Sequence, residues 1–254
     1  MAETLPAVVL AGGRRSEPVA RALGLPHKAL TPVAGKPAVR WVVEALQAAE
    51  LVGPVVVATE LEEVAQALPE GVAVARPTGG SMLDTILAGL GQFPEAERVL
   101  LCTSDLPLLT PAAVDDFARR ALDSEAEFCY SIVRGARLEA GSSAASRTMV
   151  ALRDGACTGG NVFCVSRRFL EEGGPWVNAA FAGRKNPVKL ASLLGFGFVW
   201  GLLWRRLTLP QIVEHAQKKI GMALMVVDSE YPEVCFDIDK PGQVGVAEAM
   251  IENR

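Results

Sequence analysis

The chain has 254 residues, half of them hydrophobic, and a formal net charge of −4. That is enough to bury a full core in one large domain or two small ones, and the mild acidity offers no general attraction to nucleic acid. Five cysteines, Cys102, Cys129, Cys157, Cys164 and Cys235, are odd in number, widely spaced and without a C-x-x-C pair; this argues against a disulfide framework or a zinc site and fits a reducing cytoplasm.

The apolar run Leu5–Leu10 meets glycines at once with no basic region ahead of it, so no secretory signal is expected. Short apolar runs at Ala7–Leu10, Val55–Ala58, Val72–Ala75 and Val99–Cys102 read as strands buried on both faces. Between them, Pro37 to Glu50 places Val39, Val42, Val43, Leu46 and Ala49 at helical spacing, and Asp84 to Leu90 follows a Gly79-Gly80 turn. Thr110-Pro111 is an N-cap followed by proline in the first helical position, opening a helix through about Leu122. This alternation predicts an α/β fold, a mainly parallel sheet with helices on both faces.

Beyond Ala126 the rhythm changes. Phe128–Val133 and Asn161–Val165 read as strands, separated by a small-residue polar stretch, Gly135 to Arg147, expected to be a mobile loop. Leu190–Trp204 is uncharged, preceded by Arg184-Lys185 and followed by Arg205-Arg206, and Leu209–Lys219 has a helical pattern. About fifteen apolar residues are too few to span a bilayer. A buried or dimer-forming helix pair is the plainer reading of this stretch, and contact with a membrane surface or a lipid acceptor through 184–206 is the alternative.

Three groups of residues carry the chemistry. Gly12 and Gly13 follow the first strand, at the sheet edge where ligands enter such folds, and leave backbone N–H groups open to phosphate. Asp105, in Ser104-Asp105-Leu106-Pro107-Leu108-Leu109, follows another strand. Asp237 and Asp239 flank Ile238 in what reads as a short strand, which would turn both carboxylates to one side, where they need a cation or hydrogen bonds. His27 and His215 have no nucleophile or ligand partner in the pattern, so histidine catalysis is not expected.

With Lys28-Ala29-Leu30 and Gly35-Lys36-Pro37 added to Leu10-Ala11-Gly12-Gly13, the chain resembles the MobA-like nucleotidyltransferases and their relatives, the sugar-phosphate pyrophosphorylases and isoprenoid-pathway cytidylyltransferases. The resemblance implies a Rossmann-like fold of the glycosyltransferase type A kind in a single domain. Residues 1–125 would bind nucleotide, and residues 126–254 would bind acceptor and carry a helical insertion over about 173–226. It implies that Leu10, Ala11, Gly12, Gly13 and Lys28 meet the triphosphate. The usual loop arginine is displaced here, so Arg14 and Arg15 rank together ahead of Arg21. Thr78, Gly79, Gly80, Ser81, Asp84 and Thr85 would read the base, and Gly160 and Asn161 would lie beside ribose and acceptor. Ser104 accompanies Asp105, which with Asp239, and Asp237 second, would hold Mg2+. At Lys240 the family pattern has threonine.

The implied reaction transfers a nucleoside monophosphate from a triphosphate, CTP or GTP being favoured, to a phosphorylated small-molecule acceptor. Two alternatives remain open on sequence: a glycosyltransferase using a finished nucleotide sugar, with D-x-D on the metal, and a nucleotide-binding protein without turnover.

Overall fold

The structure, a computed structural model, describes residues 3–12, 17–139, 149–173, 195, 198, 200–201 and 204–253. Its strands are β1 (Leu5–Leu10), β2 (Pro32–Val33), β3 (Lys36–Pro37), β4 (Val52–Ala58), β5 (Ala73–Ala75), β6 (Arg98–Thr103), β7 (Phe128–Arg134), β8 (Val150–Leu152), β9 (Gly155–Ser166) and β10 (Leu224–Asp228). One eight-stranded sheet runs β10-β7-β9-β6-β1-β4-β5, with β8 paired to β9, while β2 and β3 form a separate ribbon. β1 is parallel to β4 and β6, β4 to β5, and β7 to β10; β9 runs against both β6 and β7. The carboxyl ends of β1, β4, β6, β7 and β10 therefore share one edge.

Alternation along β1 divides the core. Ala7 and Val9 face a cluster completed by Val42, Val43 and Leu46 of α2 (Ala38–Ala48) and Phe117 of α5 (Pro111–Leu122), whereas Val8 and Leu10 face Ile86 and Leu90 of α4 (Met82–Leu90). Val64 of the short α3 (Glu62–Gln66) joins the first cluster, and helices thus cover both faces, as the strand–helix alternation predicts. Val39, Val42, Val43, Leu46, Phe117 and Leu100 are fully buried, and each such side chain removed from water contributes about 1.5–3 kcal/mol. Thr110 caps α5 as expected, its Oγ1 accepting from the Ala113 N–H at 3.2 Å, with Pro111 behind it where no N–H is needed.

Four local expectations are corrected. Gly135–Glu139 is a short helix, α6, and no loop; residues 140–147 lie outside the described residues. Asp237–Asp239 is not a strand, because the segment makes isolated bonds, Asp237 N–H to Cys235 O and Ile238 N–H to Asp105 O, and no ladder. β9 is longer than the Asn161–Val165 run, since pairing with β6, β7 and β8 carries it from Gly155 to Ser166. A boundary at about 226 would cut β10, which the sequence pattern does not announce and which is set by pairing with β7. The helix at Leu209–Ile220, α7, matches expectation, with a Thr208–Gln211 capping box and Gly221 in the left-handed conformation at its end. Most of 190–204 lies outside the described residues; Trp200 and Trp204, within them, are exposed and 5.6 Å apart. No helix among the described residues is long and apolar enough to cross a membrane.

Candidate active site

β6 ends at Thr103, and the turn after it drops Asp105 into the sheet's carboxyl edge, 1 % exposed, with Ser104 equally buried. The C-terminal segment reaches the same place from the other end of the chain. Ile238 is buried and anchored to the Asp105 carbonyl, which puts Asp237 and Asp239 on either side of an apolar anchor. Asp239 is held further by the Gln243 side chain, which accepts from the Asp239 and Lys240 N–H groups, and by its own carbonyl, which accepts from Val19 N–H in α1 (Pro18–Ala22). Oxygen atoms of Asp105, Asp237 and Asp239 all lie within 4.8 Å of one another.

Lys28 enters this cluster from a 3-10 turn (Lys28–Leu30) that His27 caps, its Nδ1 accepting from Ala29 N–H at 3.1 Å. Lys28 Nζ sits 2.7 Å from Asp105 Oδ2, 2.9 Å from Asp239 Oδ1 and 3.1 Å from Glu17 Oε1. The approach to Asp105 is close but off the direction of a hydrogen bond, so it is a Coulombic contact, and neither Asp105 oxygen has a hydrogen-bond partner. Burial works to lower the Lys28 pKa, yet Asp105, Glu17 and Asp239 together outweigh it and raise the value, so the group is an ammonium at any ordinary pH. For Glu17 burial is the larger influence and pushes its carboxyl up, against the pull of Lys28.

The glycine turn after β1 meets the segment 78–85 across the sheet edge. A Cβ on Gly12 would come within 2.5 Å of Thr85 Oγ1 and 3.1 Å of Glu60 Oε2, so only glycine lets the end of β1 pass α4 this closely. Ser81 and Asp84 cap α4 reciprocally: Ser81 Oγ accepts from Asp84 N–H at 3.1 Å, and Asp84 Oδ2 accepts from Ser81 N–H at 2.9 Å. Hydrogen bonds from the Ser81 side chain and backbone lower the Asp84 pKa. A Cβ on Gly79 would stand 2.3 Å from Asp84 Oδ2. Asp84 is thus engaged in building the loop, while Thr78, Gly80 and the outer face of Ser81 are exposed.

Gly160 and Asn161 lie on β9 just past the Val162–Cys102 pair, at the end of β6 that leads to Asp105. Gly160 has a packing reason of its own, since its Cβ would lie 2.2 Å from Ser131 Oγ, which donates to Val162 O at the β7 irregularity. Gly13, Arg14 and Arg15 lie outside the described residues, and Arg21 is exposed on α1. Glu17 and Glu60 escape the sequence reading. Glu17 adjoins the glycine loop but matches no part of the family pattern quoted above, and Glu60 follows β4 without a signature.

The architecture is that of the Rossmann-like nucleotidyltransferases, with glycine turn, lysine and carboxylates gathered at the carboxyl edge of the sheet. The chain belongs to the family described as the MobA-like NTP transferase domain, whose model matches residues 7–226. It is similar over 95 % of its length to a hypothetical transferase structure from Thermus thermophilus, at 33 % identity and TM-score 0.78, covering 99 % of that chain. A curated relative, the 3-deoxy-manno-octulosonate cytidylyltransferase of Geobacter sulfurreducens, is 36 % identical over 97 residues, which is 36 % of this chain and 37 % of that protein. The structure of a CMP:2-keto-3-deoxy-manno-octonic acid synthetase complexed with CTP shares the fold, at TM-score 0.61 and 14 % identity over 99 % of both chains.

Proposed function

We propose that this nucleotidyltransferase moves a nucleoside monophosphate from a nucleoside triphosphate, CTP before GTP, to a phosphorylated small-molecule acceptor. The observation that carries this is the meeting of Asp105 with Asp237 and Asp239 around Lys28. The likeness to a cytidylyltransferase supports CTP. An acceptor phosphate oxygen attacks the α-phosphorus, the bond from the α-phosphorus to the bridging oxygen breaks, and pyrophosphate leaves in line. Such an acceptor arrives ionised, so no side chain has to take a proton.

The carboxylates suit a hard divalent cation. Three oxygen donors stand within 4.8 Å of one another, and both Asp105 oxygens are buried without hydrogen bonds. Bound there, Mg2+ would offset charge on the phosphate oxygens. Asp105 and Asp239 would hold it, with Asp237 beside them. Lys28 and the glycines Gly12 and Gly13 would bind the polyphosphate, with Arg14 or Arg15 as a further partner of its charge. Backbone and hydroxyl groups of Thr78, Gly79, Gly80, Ser81 and Thr85 would face the base, with Asp84 bracing the loop. Residues 1–125 would then be the nucleotide half and 126–254 the acceptor half, with Gly160 and Asn161 beside ribose and acceptor.

Exposed Trp200 and Trp204 next to Arg205 and Arg206 favour a second element of this reading, an acceptor presented at an anionic lipid surface. Co-sedimentation with anionic vesicles, lost in W200A/W204A, tests that element alone. The main reading is tested by incubating the protein with each triphosphate, Mg2+ and a panel of phosphorylated acceptors. Pyrophosphate release that requires both substrates is the expected result. Consumption of nucleotide sugars, or nucleotide binding with no turnover on any acceptor, would replace it.

A further inference from the structure

Lys28 is placed where its charge does more than wait for phosphate. Its ammonium lies 2.7, 2.9 and 3.1 Å from three carboxylates, those of Asp105, Asp239 and Glu17, and the first two are the same groups that suit a divalent ion. We propose that the Lys28 ammonium is a stand-in cation, holding the acidic pocket together in the nucleotide-free protein and leaving it when a divalent ion and a polyphosphate arrive together. The inference rests on reading Asp105, Asp237 and Asp239 as a metal site.

Asp105 is 1 % exposed and neither of its oxygens is hydrogen-bonded, so a cation close by is what offsets the cost of burying the carboxylate. The ammonium lies 2.7 Å from Asp105 Oδ2 and 2.9 Å from Asp239 Oδ1, so a divalent ion taken up by these two oxygens would meet a like charge at very short range. Glu17 provides the tether, because it contacts the lysine from α1, while α1 is itself bonded to the Asp239 carbonyl through Val19 N–H. A lysine on a four-carbon stem can swing away without moving the backbone, provided that new anionic oxygens replace those it leaves. Triphosphate supplies them, whereas a bare metal ion does not. Metal alone should therefore bind weakly, and nucleotide should strengthen it.

The test is Mn2+ binding by calorimetry and electron paramagnetic resonance, without nucleotide, to the full chain and to its Lys28→Met, Lys28→Gln, Lys28→Arg and Lys218→Met variants. Lys28→Met and Lys28→Gln are expected to bind Mn2+ about tenfold more tightly or better. Lys28→Arg, which keeps the charge, and Lys218→Met, which removes one far away, should stay near the parent protein. In chelator, Lys28→Met should melt below the parent, and Mn2+ should raise its melting temperature more than the parent's. Equal Mn2+ affinity in parent, Lys28→Met and Lys28→Gln overturns the proposal, and so does Mn2+ binding to the parent that is as tight without nucleotide as with it. The last comparison needs no variant to fold. Failure of the stand-in role leaves pyrophosphate release by the parent intact, whereas failure of the transferase reading abolishes that release and leaves the Mn2+ affinities as stated.

Discussion

The backbone N–H of Ile238 donates to the carbonyl of Asp105 at 3.0 Å, joining the turn after β6 to a segment near the C-terminus. Ile238 is fully buried, so this single bond is fixed by packing on both sides, and it sets Asp237 and Asp239 against Asp105. Any change that loosens the anchor moves two carboxylates at once.

Asp105→Asn keeps the shape of the turn and removes the charge. Pyrophosphate release is expected to fall by about a hundredfold or more, the scale on which one preorganised electrostatic group acts. Nucleotide binding, read by thermal shift, should weaken far less. Retention of more than a tenth of the activity would remove Asp105 from the machinery.

Burial holds the His27 pKa below its ordinary 6.5, the Lys28 charge pushes the same way, and Asp105 and Glu60 only partly offset them. The unfolded chain then binds this proton more readily than the folded one. Stability is full above about pH 6.5 and declines as the pH falls through that value toward the lower folded pKa. The Nδ1 that accepts from Ala29 N–H explains why the neutral form is needed. His27→Asn retains an acceptor that does not titrate. Its melting temperature between about pH 7.5 and 5.5 should therefore fall less than the parent's.

Gly89 lies on α4 against β1, and a Cβ there would come within 2.2 Å of Val8 Cγ1. Gly89→Ala is expected to destabilise the protein by about 1–3 kcal/mol through overpacking. Val8→Ala in the same chain should recover part of that cost, visible as a non-additive double-mutant cycle in denaturant melts. Additive costs would show that the contact is not shared.

Ser81→Ala removes the side-chain arm of the capping box and leaves Asp84 held only by the backbone N–H of residue 81. A cost of about 1 kcal/mol is expected, which lowers the melting temperature by about 2–4 °C in a chain of this size. The nucleotide KM should rise more than kcat falls, because the loop is mis-set while the carboxylates are untouched. An unchanged KM would take the loop out of nucleotide binding.

Much of this was legible because periodicity and turn chemistry are local. The Val-rich strands, the Thr110-Pro111 helix start and the helix from Leu209 follow from residues within a few positions of one another. β8 and β10 are not legible: β8 is three residues long and is defined only by its pairing across a tight turn with the neighbouring β9, and β10 owes its state to β7, far away in sequence. The same holds in the site. Asp105, Asp239 and Lys28 stand out by their patterns, but the role of Asp84 as a cap and of Glu17 as a contact of Lys28 depends on tertiary placement. Asp237 and Asp239 flank Ile238 in an anchored coil and not in the expected strand, and the burial of Ile238 that fixes them comes from tertiary packing.

If carboxylates from two distant segments hold one divalent ion beside the nucleotide, the ion must sit between Asp105 and Asp239 in the loaded protein. The most direct test is a crystal structure with CTP and Mn2+, read by anomalous scattering. The expected result is one Mn2+ coordinated by Asp105 and Asp239 and by phosphate oxygens, with Lys28 Nζ withdrawn from Asp105 onto the polyphosphate. Mn2+ bound to the phosphates alone, with Lys28 still seated between Asp105 and Asp239, would contradict it.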